Sequence, residues 1–175
     1  MVRPSRGRVD VRPLPAGYRL RYFAEGDERA YDDLFALAWP DEGTLDHARR
    51  HALEAGFVVI EHDDSRQLVA SCVAFAPESP ERHPAAGSLG WLVTDPAHGR
   101  RGLATIAAAT VTNRLVDARY ALPWLGTEDD RLTAIAIYLR LGWRPYLYEP
   151  DMEARWRAIA GQLGREFSSD DCVHP

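Results

Sequence analysis

The sequence predicts a single domain that mixes strands and helices, of the α+β or α/β class, and three observations support this. At 175 residues and 19.6 kDa the chain has the length of one domain with a sizeable core. Apolar residues make up 46% and charged residues 27% of the chain, as in folded globular proteins. Strand-like and helical patterns alternate without a repeat or interior linker. We expect one domain over residues 17–164, with a flexible lead-in at 1–16 and a flexible tail at 165–175.

The first half of the chain predicts one strand, two helices and a hairpin. "YRLRYF" alternates polar and apolar residues as a half-buried strand does. Asp27 stands as a helix N-cap before "ERAYDDLFALAW", whose apolar residues have helical spacing. A second short helix begins near Thr44 and ends at Gly56. The apolar runs "FVVIEH" and "QLVASCVAFAP" flank a "DDSR" turn and predict a hairpin.

The second half predicts three strands that alternate with three helices. After the Pro-rich loop "ESPERHPAAG", "SLGWLVT" is strand-like, and a helical face runs from Arg101 to Tyr120. "LPWLGTE" predicts the next strand, and "RLTAIAIYLRLG" predicts a helix that Gly142 closes. "WRPYLYE" and "MEARWRAIAGQLG" predict a last strand and a last helix.

The charged residues exclude several classes of function. All 21 basic residues are arginine, so the chain has no lysine for a Schiff base or a Walker-type phosphate loop. A net charge of -5 and an isoelectric point near 5.7 argue against a nucleic-acid surface. We therefore expect no nucleic-acid partner, and a neutral or cationic small molecule fits the charge better.

The cysteines and the hydropathy of the chain indicate its compartment. Cys72 and Cys172 lie a hundred residues apart and form no metal-binding spacing, which favours a reducing, cytoplasmic setting. No apolar run approaches the ~20 residues of a membrane span, and the Arg-rich start lacks the apolar core of a signal peptide. We expect no membrane partner.

The stretch "TDPAHGRRGLAT", residues 94–105, joins a predicted strand to the start of a predicted helix. The first N–H groups of a helix need partners, but no Ser, Thr, Asp or Asn lies between Pro96 and Leu103 to cap them. An anion bound at this turn would satisfy those donors and gain from the helix dipole, with Arg100 and Arg101 adding charge-assisted contacts. The alternative is an ordinary turn with two solvated arginines.

With the strand before it, this stretch resembles motif A of the GNAT superfamily, the acyl-CoA-dependent N-acyltransferases. Gly102 and Ala104 match the second half of the motif, while Gly99 stands where an Arg or Gln is expected and Arg100 takes over the basic position. The resemblance implies that the turn binds the pyrophosphate of acetyl-CoA and that the strand pairs with its pantetheine arm. The implied cofactor-binding residues are Leu92, Val93, Thr94, Gly99, Arg100, Arg101, Gly102, Leu103, Ala104 and Thr105, together with Arg131 from the second motif.

The second motif, "RLTAIAIYLRLGW", resembles motif B of the same superfamily. Ala134, Tyr138 and Gly142 match at the family's spacing, Trp143 replaces a Phe, and Arg131 occupies the position of an Asn. The two motifs together imply the GNAT fold, a mixed and mostly antiparallel sheet with helices on both faces. Acetyl-CoA would lie in a cleft where that sheet splays, between the strand before the basic turn and "LPWLGTE".

The resemblance implies that Tyr138 is the general acid for the CoA thiolate that leaves when an amine attacks the thioester, a contribution of roughly 10²–10⁴ in rate. The alternative is a buried core tyrosine among apolar neighbours. Glu128 is the candidate base, with Glu61, His62 and Asp129 as further candidates at strand ends. Each of these four has a solvated loop residue as its alternative.

The acceptor is an amine that the sequence does not identify. Trp39, Asp41 and Glu42 follow the first helix, where the family builds its acceptor site, although they also suit a turn and a cap. A homodimer is compatible with the family. The alternative function is a non-catalytic acyl-CoA-binding sensor or interaction module, and a third class is a structural domain with a vestigial cleft and an exposed apolar patch.

A histidine pair and a glycine-flanked serine are two further patterns that could indicate a different function. His47 and His51 have the i, i+4 spacing of zinc ligands, with Glu54 one turn further, but the ligand set of a zinc protease is incomplete, and we expect no metal. "AGSLG" around Ser88 resembles a hydrolase nucleophile elbow, but a strand follows the serine where a helix is required.

Overall fold

The computed structural model describes residues 1–4, 6–40, 45–77 and 86–175. Within them, four strands form an antiparallel sheet in the order β1-β2-β3-β4. The strands are β1 (Tyr18–Tyr22), β2 (Ala52–His62), β3 (Leu68–Phe75) and β4 (Ser88–Thr94). The α-helices are α1 (Glu28–Phe35), α2 (Leu45–His51), α3 (Leu103–Asp117), α4 (Leu132–Arg140) and α5 (Met152–Gln162). None of the helices in this part of the chain combines the length and apolarity that crossing a bilayer demands.

The sheet buries both of its faces, which explains why β2 and β3 read as continuous apolar runs. Val58 and Ile60 of β2 face a core cluster that includes α3 and α4. The alternate residues Phe57 and Val59 face a second cluster, built with α1 and α2. The predicted α+β class, with helices on both faces of a mostly antiparallel sheet, is therefore confirmed.

The boundary between α2 and β2 differs from the prediction. The sequence predicts a helix that runs to Gly56, but α2 ends at His51 and β2 begins with Ala52, which pairs with Phe75 of β3. The residues after Ala52 favour a helix locally, yet pairing with β3 satisfies their backbone instead. Ala55, with φ of 55°, accompanies the irregular register of this stretch. Thr44, the predicted start of this helix, lies outside the described residues.

The two strands predicted after α3 are reduced to isolated bridges. Trp124 bridges to Ser88 of β4 in the parallel sense, and Tyr146 bridges to Val173 in the same sense. The backbone N–H of Leu89 donates to the carbonyl of Trp124 (3.0 Å), but beyond this point the 124–128 segment does not pair with β4. The sheet therefore opens beside β4, and the opening is bounded by α4.

Both ends of the chain make contacts that do not fit the expected flexibility of 1–16 and 165–175. Val2 is 1% exposed and bridges to both Trp124 and Arg144. Val9 exchanges two hydrogen bonds with the Asn113 side chain of α3. At the other end, the backbone N–H of Leu147 donates to the carbonyl of Val173 (2.8 Å). The short segments after α3 leave unpaired backbone groups, and the chain ends satisfy them.

Candidate functional site

The turn between β4 and α3 leaves the N-terminus of α3 without a side-chain cap. Asp95 caps the short 3-10 turn Pro96–His98, because its Oδ1 accepts from the backbone N–H of Ala97 at 2.8 Å. Gly102 occupies the N-cap of α3 with φ of 80°, a left-handed conformation that glycine adopts without strain. A Cβ built on Gly102 would meet no atom within 4 Å. The first N–H groups of α3 thus face open space, and uncapped groups of this kind are able to bind an anion.

The two arginines of the turn have different positions. The Nη1 of Arg101 donates to the carbonyls of Ala97 (3.1 Å) and Gly99 (3.3 Å) within the same turn. Arg100 is exposed, with φ of 59°, and its guanidinium has no partner in the described part of the chain. Arg101 therefore braces the turn, whereas Arg100 is available to an incoming anion.

A β-bulge interrupts β4 just before this turn. Trp91 and Leu92 of β4 lie opposite a single residue of β3, Cys72, and Trp91 has φ of 51°. The bulge turns β4 away from regular pairing where the sheet opens. Gly90, which precedes it, must lack a side chain, since a Cβ there would lie 2.8 Å from the ring of Phe75. The sequence prediction did not include this bulge, although Gly90 inside a strand-like run is a local sign of one.

Two adjoining cavities run along the opening between β4 and α4. The first is a cleft of about 390 Å³, and its lining includes Trp39, His47, Trp91, Glu128, Arg131 and Tyr138. The second is an open groove of about 530 Å³ toward the basic turn, and its lining includes Thr94, Ala104, Asp130, Leu132, Thr133 and Ile137. Leu92, Arg131 and Ala134 line both cavities. The motif residues from two distant parts of the sequence therefore meet at one site.

The predicted cofactor-binding residues divide between the groove and its surroundings. Leu92 and Thr94 of β4 line the groove, whereas Val93 between them faces the core cluster behind the sheet. The Thr94 hydroxyl is buried without a hydrogen-bond partner. Leu103 is 1% exposed in the core, and Thr105 and residues 99–102 line neither the cleft nor the groove. The open space at Gly102 and the uncapped start of α3 next to the groove suit an extended ligand with an anionic end.

Tyr138 lies on the face of α4 that borders the cleft. It is 5% exposed and packs in the core cluster, with its ring beside the β4 bulge. Burial raises the pKa of Tyr138 well above the ordinary value near 10, with a smaller contribution from nearby Cys72. The phenol is therefore a neutral hydrogen-bond donor at any physiological pH. Tyr138 therefore packs in the core and also lines the cleft, and its role as general acid stays a prediction.

Glu128 and Arg131 form an ion pair at the mouth of the cleft. The Nε of Arg131 lies 2.6 Å from Oε2 of Glu128, and the guanidinium carbon lies 4.8 Å from the ring centroid of Trp39. Trp39 follows α1 on the opposite wall, where its ring stacks on Phe35 at 4.7 Å. Arg131 thus spans the cleft from the α4 wall to the α1 wall.

The family assignment follows from a match that covers most of the chain. Residues 19–143 match the family model of the acetyltransferase (GNAT) family. The chain belongs to this family. Its fold and its two motifs are those of a GNAT acyltransferase, in agreement with the resemblance found in the sequence.

Solved GNAT structures share this fold. A GCN5-related N-acetyltransferase from Sphaerobacter thermophilus aligns with a TM-score of 0.61 at 19% identity, over 81% of this chain and 45% of its own. A putative GNAT acetyltransferase from Novosphingobium aromaticivorans aligns with a TM-score of 0.57 at 22% identity, over 82% and 57% of the two chains. A GCN5-related N-acetyltransferase from Kribbella flavida aligns with a TM-score of 0.52 at 26% identity, over 82% of this chain and 51% of its own. This chain therefore spans about half the length of these structures. No curated protein matches it.

Within this GNAT fold, the other candidate bases lie away from the cleft. Glu61 is 2% exposed and binds Arg19, Arg21 and Arg66, each at 2.8 Å. Burial alone would raise the pKa of Glu61, but the hydrogen bonds from Arg21 and Arg19 outweigh it and hold the pKa below its usual value. Such a carboxylate is a poor base.

Three other predicted residues, His62, Asp129 and the helix cap Asp27, have side chains that contact other groups than those predicted. His62 packs against the rings of Tyr18 and His98, outside the lining of the cleft. Both oxygens of Asp129 accept from Arg155 at 2.9 Å, which lowers the pKa of Asp129. The Asp27 carboxylate makes no cap hydrogen bond to α1 and binds Arg21 instead, so this part of the prediction is wrong. Glu128 is the candidate base that lines the cleft.

The histidine pair on α2 is an aromatic contact at the cleft wall. The rings of His47 and His51 lie 4.5 Å apart, and His47 also contacts Trp91 at 5.4 Å. In the described residues no group of three or more His, Cys, Asp or Glu side chains is placed to hold a metal. Asp41 and Glu42, the acidic residues predicted for the acceptor side, lie outside those residues.

A cavity larger than the cleft or the groove lies on the other side of the 124–127 segment. It measures about 740 Å³, and its lining includes Trp124, Tyr146, Tyr148, Met152 and Trp156. Neither Tyr138 nor any residue of the basic turn reaches it. We therefore locate the site by the meeting of the two motifs and not by cavity size.

The structure adds several residues that sequence reasoning missed. Trp91, Trp124 and Phe75 line the cleft beside the predicted residues, together with His47. These four rings come from four separate segments, so spacing along one helix or strand carries no signal for them. The one available signal was the tryptophan inside "SLGWLVT", next to a glycine in a strand.

Proposed function

We propose that this protein transfers an acetyl group from acetyl-CoA to a primary amine, by direct attack within a ternary complex. The observation that carries the proposal is the continuity of the site. One opening runs along β4 and α4, from Thr94 and Ala104 on either side of the uncapped basic turn to a buried phenol beside a β-bulge. A long cofactor with phosphates at one end and a thioester at the other matches that layout.

The chain's own groups would hold acetyl-CoA at three places. The first N–H groups of α3 and the guanidinium of Arg100 would bind the pyrophosphate, while Arg101 keeps the turn in shape. Thr94 would use its unpaired hydroxyl along the groove. When bound, the cofactor supplies the acetyl thioester.

Tyr138 would donate a hydrogen bond to the CoA sulfur as negative charge develops there. A thiol has a pKa near 8.5 and the pKa of Tyr138 lies above 10, so complete proton transfer from phenol to thiolate is uphill. Hydrogen bonding stabilises the leaving group without that cost. Tyr138 would thus assist the departure of the thiolate as a neutral hydrogen-bond donor while the C–S bond breaks.

Glu128 would take the proton of the attacking amine. It lines the cleft and is 64% exposed at its side chain, so water connects it to solvent. Its pairing with Arg131 keeps the carboxylate in place. The amine thereby becomes nucleophilic next to the thioester, which proximity favours.

The first test is calorimetric titration with acetyl-CoA. We expect micromolar binding that weakens at least about tenfold in Arg100→Ala, which removes a charge-assisted contact. Arg29→Ala, an exposed arginine on α1, is the matched control and should bind as the wild type does. No binding at millimolar acetyl-CoA would refute the proposal.

The second test separates catalysis from binding. Tyr138→Phe should retain acetyl-CoA affinity and lose about 10²–10⁴ in kcat across an amine library, measured by thiol release. Tyr31→Phe is the control, since Tyr31 is also buried but packs on the opposite face of the sheet. Acetyl-CoA binding without turnover on any amine would support the non-catalytic binder, and full turnover in Tyr138→Phe would remove the acid role alone.

The cellular setting and assembly are part of the same proposal. A cytoplasmic location is supported by Cys72 and Cys172, which are both free thiols. Acetyl-CoA and the amine are the proposed partners, in a monomer or a homodimer.

A further inference from the structure

The guanidinium of Arg131 is fixed in orientation by two contacts. Its Nε binds Oε2 of Glu128 at 2.6 Å, and its plane lies over the Trp39 ring at 4.8 Å. Stacking on an aromatic face and one ion pair leave a planar guanidinium with little rotational freedom. The Trp39 ring is itself held by Phe35.

The outer edge of this guanidinium is unused. Within the described residues, neither Nη atom of Arg131 makes a hydrogen bond, Glu128 is the one ion-pair partner of the guanidinium, and the side chain is 35% exposed. It borders both the cleft and the groove, so these donors lie at the point where the two substrates would meet. A fixed guanidinium edge with free Nη donors matches the two oxygens of a carboxylate.

The start of α4 adds a second, independent attraction for an anion. Arg131 is the N-cap residue of this nine-residue helix, and no side chain caps its first N–H groups. Leu132 and Thr133 of that first turn line the groove. The positive end of the helix dipole therefore lies beside the free guanidinium edge.

We propose that Arg131 binds a carboxylate at the junction of the two cavities, and that the acceptor amine is an amino acid. This deepens the proposed transfer function and rests on it. Glu128 and Arg131 are opposite charges held side by side, and no other described residue forms an ion pair with Glu128. An amino acid presents its ammonium to Glu128 and its carboxylate to Arg131. The same Arg131 chemistry would also accept a carboxylate at the end of an acyl chain, as in succinyl-CoA.

The experiment compares the common amino acids with their amides, which keep the ammonium and lose the carboxylate. Each ligand is titrated calorimetrically without cofactor and then assayed for turnover with acetyl-CoA. We expect the preferred amino acid to bind at least about tenfold more tightly than its amide, and Arg131→Gln to abolish that preference. In Arg131→Gln the KM for the amino acid should rise, and kcat should change less. In parallel, succinyl-CoA is compared with butyryl-CoA, which has the same chain length.

Arg140→Gln is the control, because Arg140 is an exposed arginine at the other end of α4. It should retain every preference of the wild type. Arg131-dependent preference for amino acids assigns the carboxylate to the acceptor, and Arg131-dependent preference for succinyl-CoA assigns it to the acyl chain. Equal binding of acids and amides, together with equal use of the two acyl-CoA species, would overturn the inference. Loss of acetyl-CoA binding would instead refute the transfer function, while the cofactor-free titration would still report on Arg131.

Discussion

Replacement of Gly102 by alanine separates backbone strain from cofactor binding. Gly102 has φ of 80° and no atom lies within 4 Å of a Cβ built on it, so the substitution meets no clash. What remains is the cost of a left-handed alanine, about 1–2 kcal/mol. For a domain of this size, that corresponds to a fall in Tm of roughly 2–8 °C.

Gly17 provides a matched control for this substitution. It has φ of 85°, a Cβ there would also meet no atom within 4 Å, and it precedes β1. We therefore expect Gly17→Ala to lower Tm by a similar amount. The two variants should differ in acetyl-CoA binding, because the Cβ of Gly102→Ala would occupy the open space in front of α3 where the phosphates are expected.

Calorimetry and thermal denaturation of the two variants give the decisive comparison. Gly102→Ala should weaken acetyl-CoA binding about tenfold or more, as for the loss of one charge-assisted hydrogen bond, while Gly17→Ala should bind normally. Equal acetyl-CoA affinities in the two variants would show that the phosphates do not bind at this turn. A stability loss in Gly17→Ala alone would contradict the assigned conformation of Gly102.

Two further outcomes concern stability. Glu61→Gln should lower the free energy of unfolding by about 2–3 kcal/mol in urea denaturation and should leave acetyl-CoA affinity unchanged. This loss is below the usual cost of breaking a buried pair because Arg19 and Arg66 are half-exposed. A loss under about 0.5 kcal/mol, the size of a surface effect, would contradict the burial argument. Burial raises the pKa values of Cys72 and Tyr138, so at alkaline pH the folded state keeps protons that the unfolded state releases. The free energy of unfolding should therefore keep its full value below about pH 8 and fall as the pH rises beyond it. Urea titrations at neutral and alkaline pH measure this fall, which should be smaller in Cys72→Ala; an identical fall would show that the Cys72 thiol does not contribute.

The sequence predicted those parts of the site that depend on local spacing. The turn before α3 and the position of Tyr138 on α4 each lie within a dozen consecutive residues, where helical periodicity and glycine geometry apply directly. The missing cap of α3 could likewise be read from residues 96–103, and the structure has none. How these residues bind acetyl-CoA and move protons is still a prediction.

The parts that the sequence did not predict depend on distant partners. The bulge at Trp91 arises where β4 meets Cys72 and leaves the sheet, and the Arg131–Trp39 contact joins residues almost a hundred positions apart. The end of α2 was misplaced because pairing with β3 overrides the helical preference of the residues after His51. The contacts of the chain ends were not predicted, because both ends are polar in composition, while their backbone completes bridges with Trp124, Arg144 and Tyr146.

The burial of α3 has a consequence for the speed of recognition. Leu103, the first residue of the helix, is 1% exposed, and the helix packs against β2, β3 and β4. The backbone that carries the amide groups behind Gly102 therefore cannot fray unless the core itself opens, although these uncapped N–H groups face solvent and should exchange their hydrogens quickly. Because the turn becomes ordered when the protein folds, the binding of an anion costs little further conformational entropy of the turn. Encounter with the cofactor should then be limited by diffusion and orientation, with no preceding rearrangement of the turn.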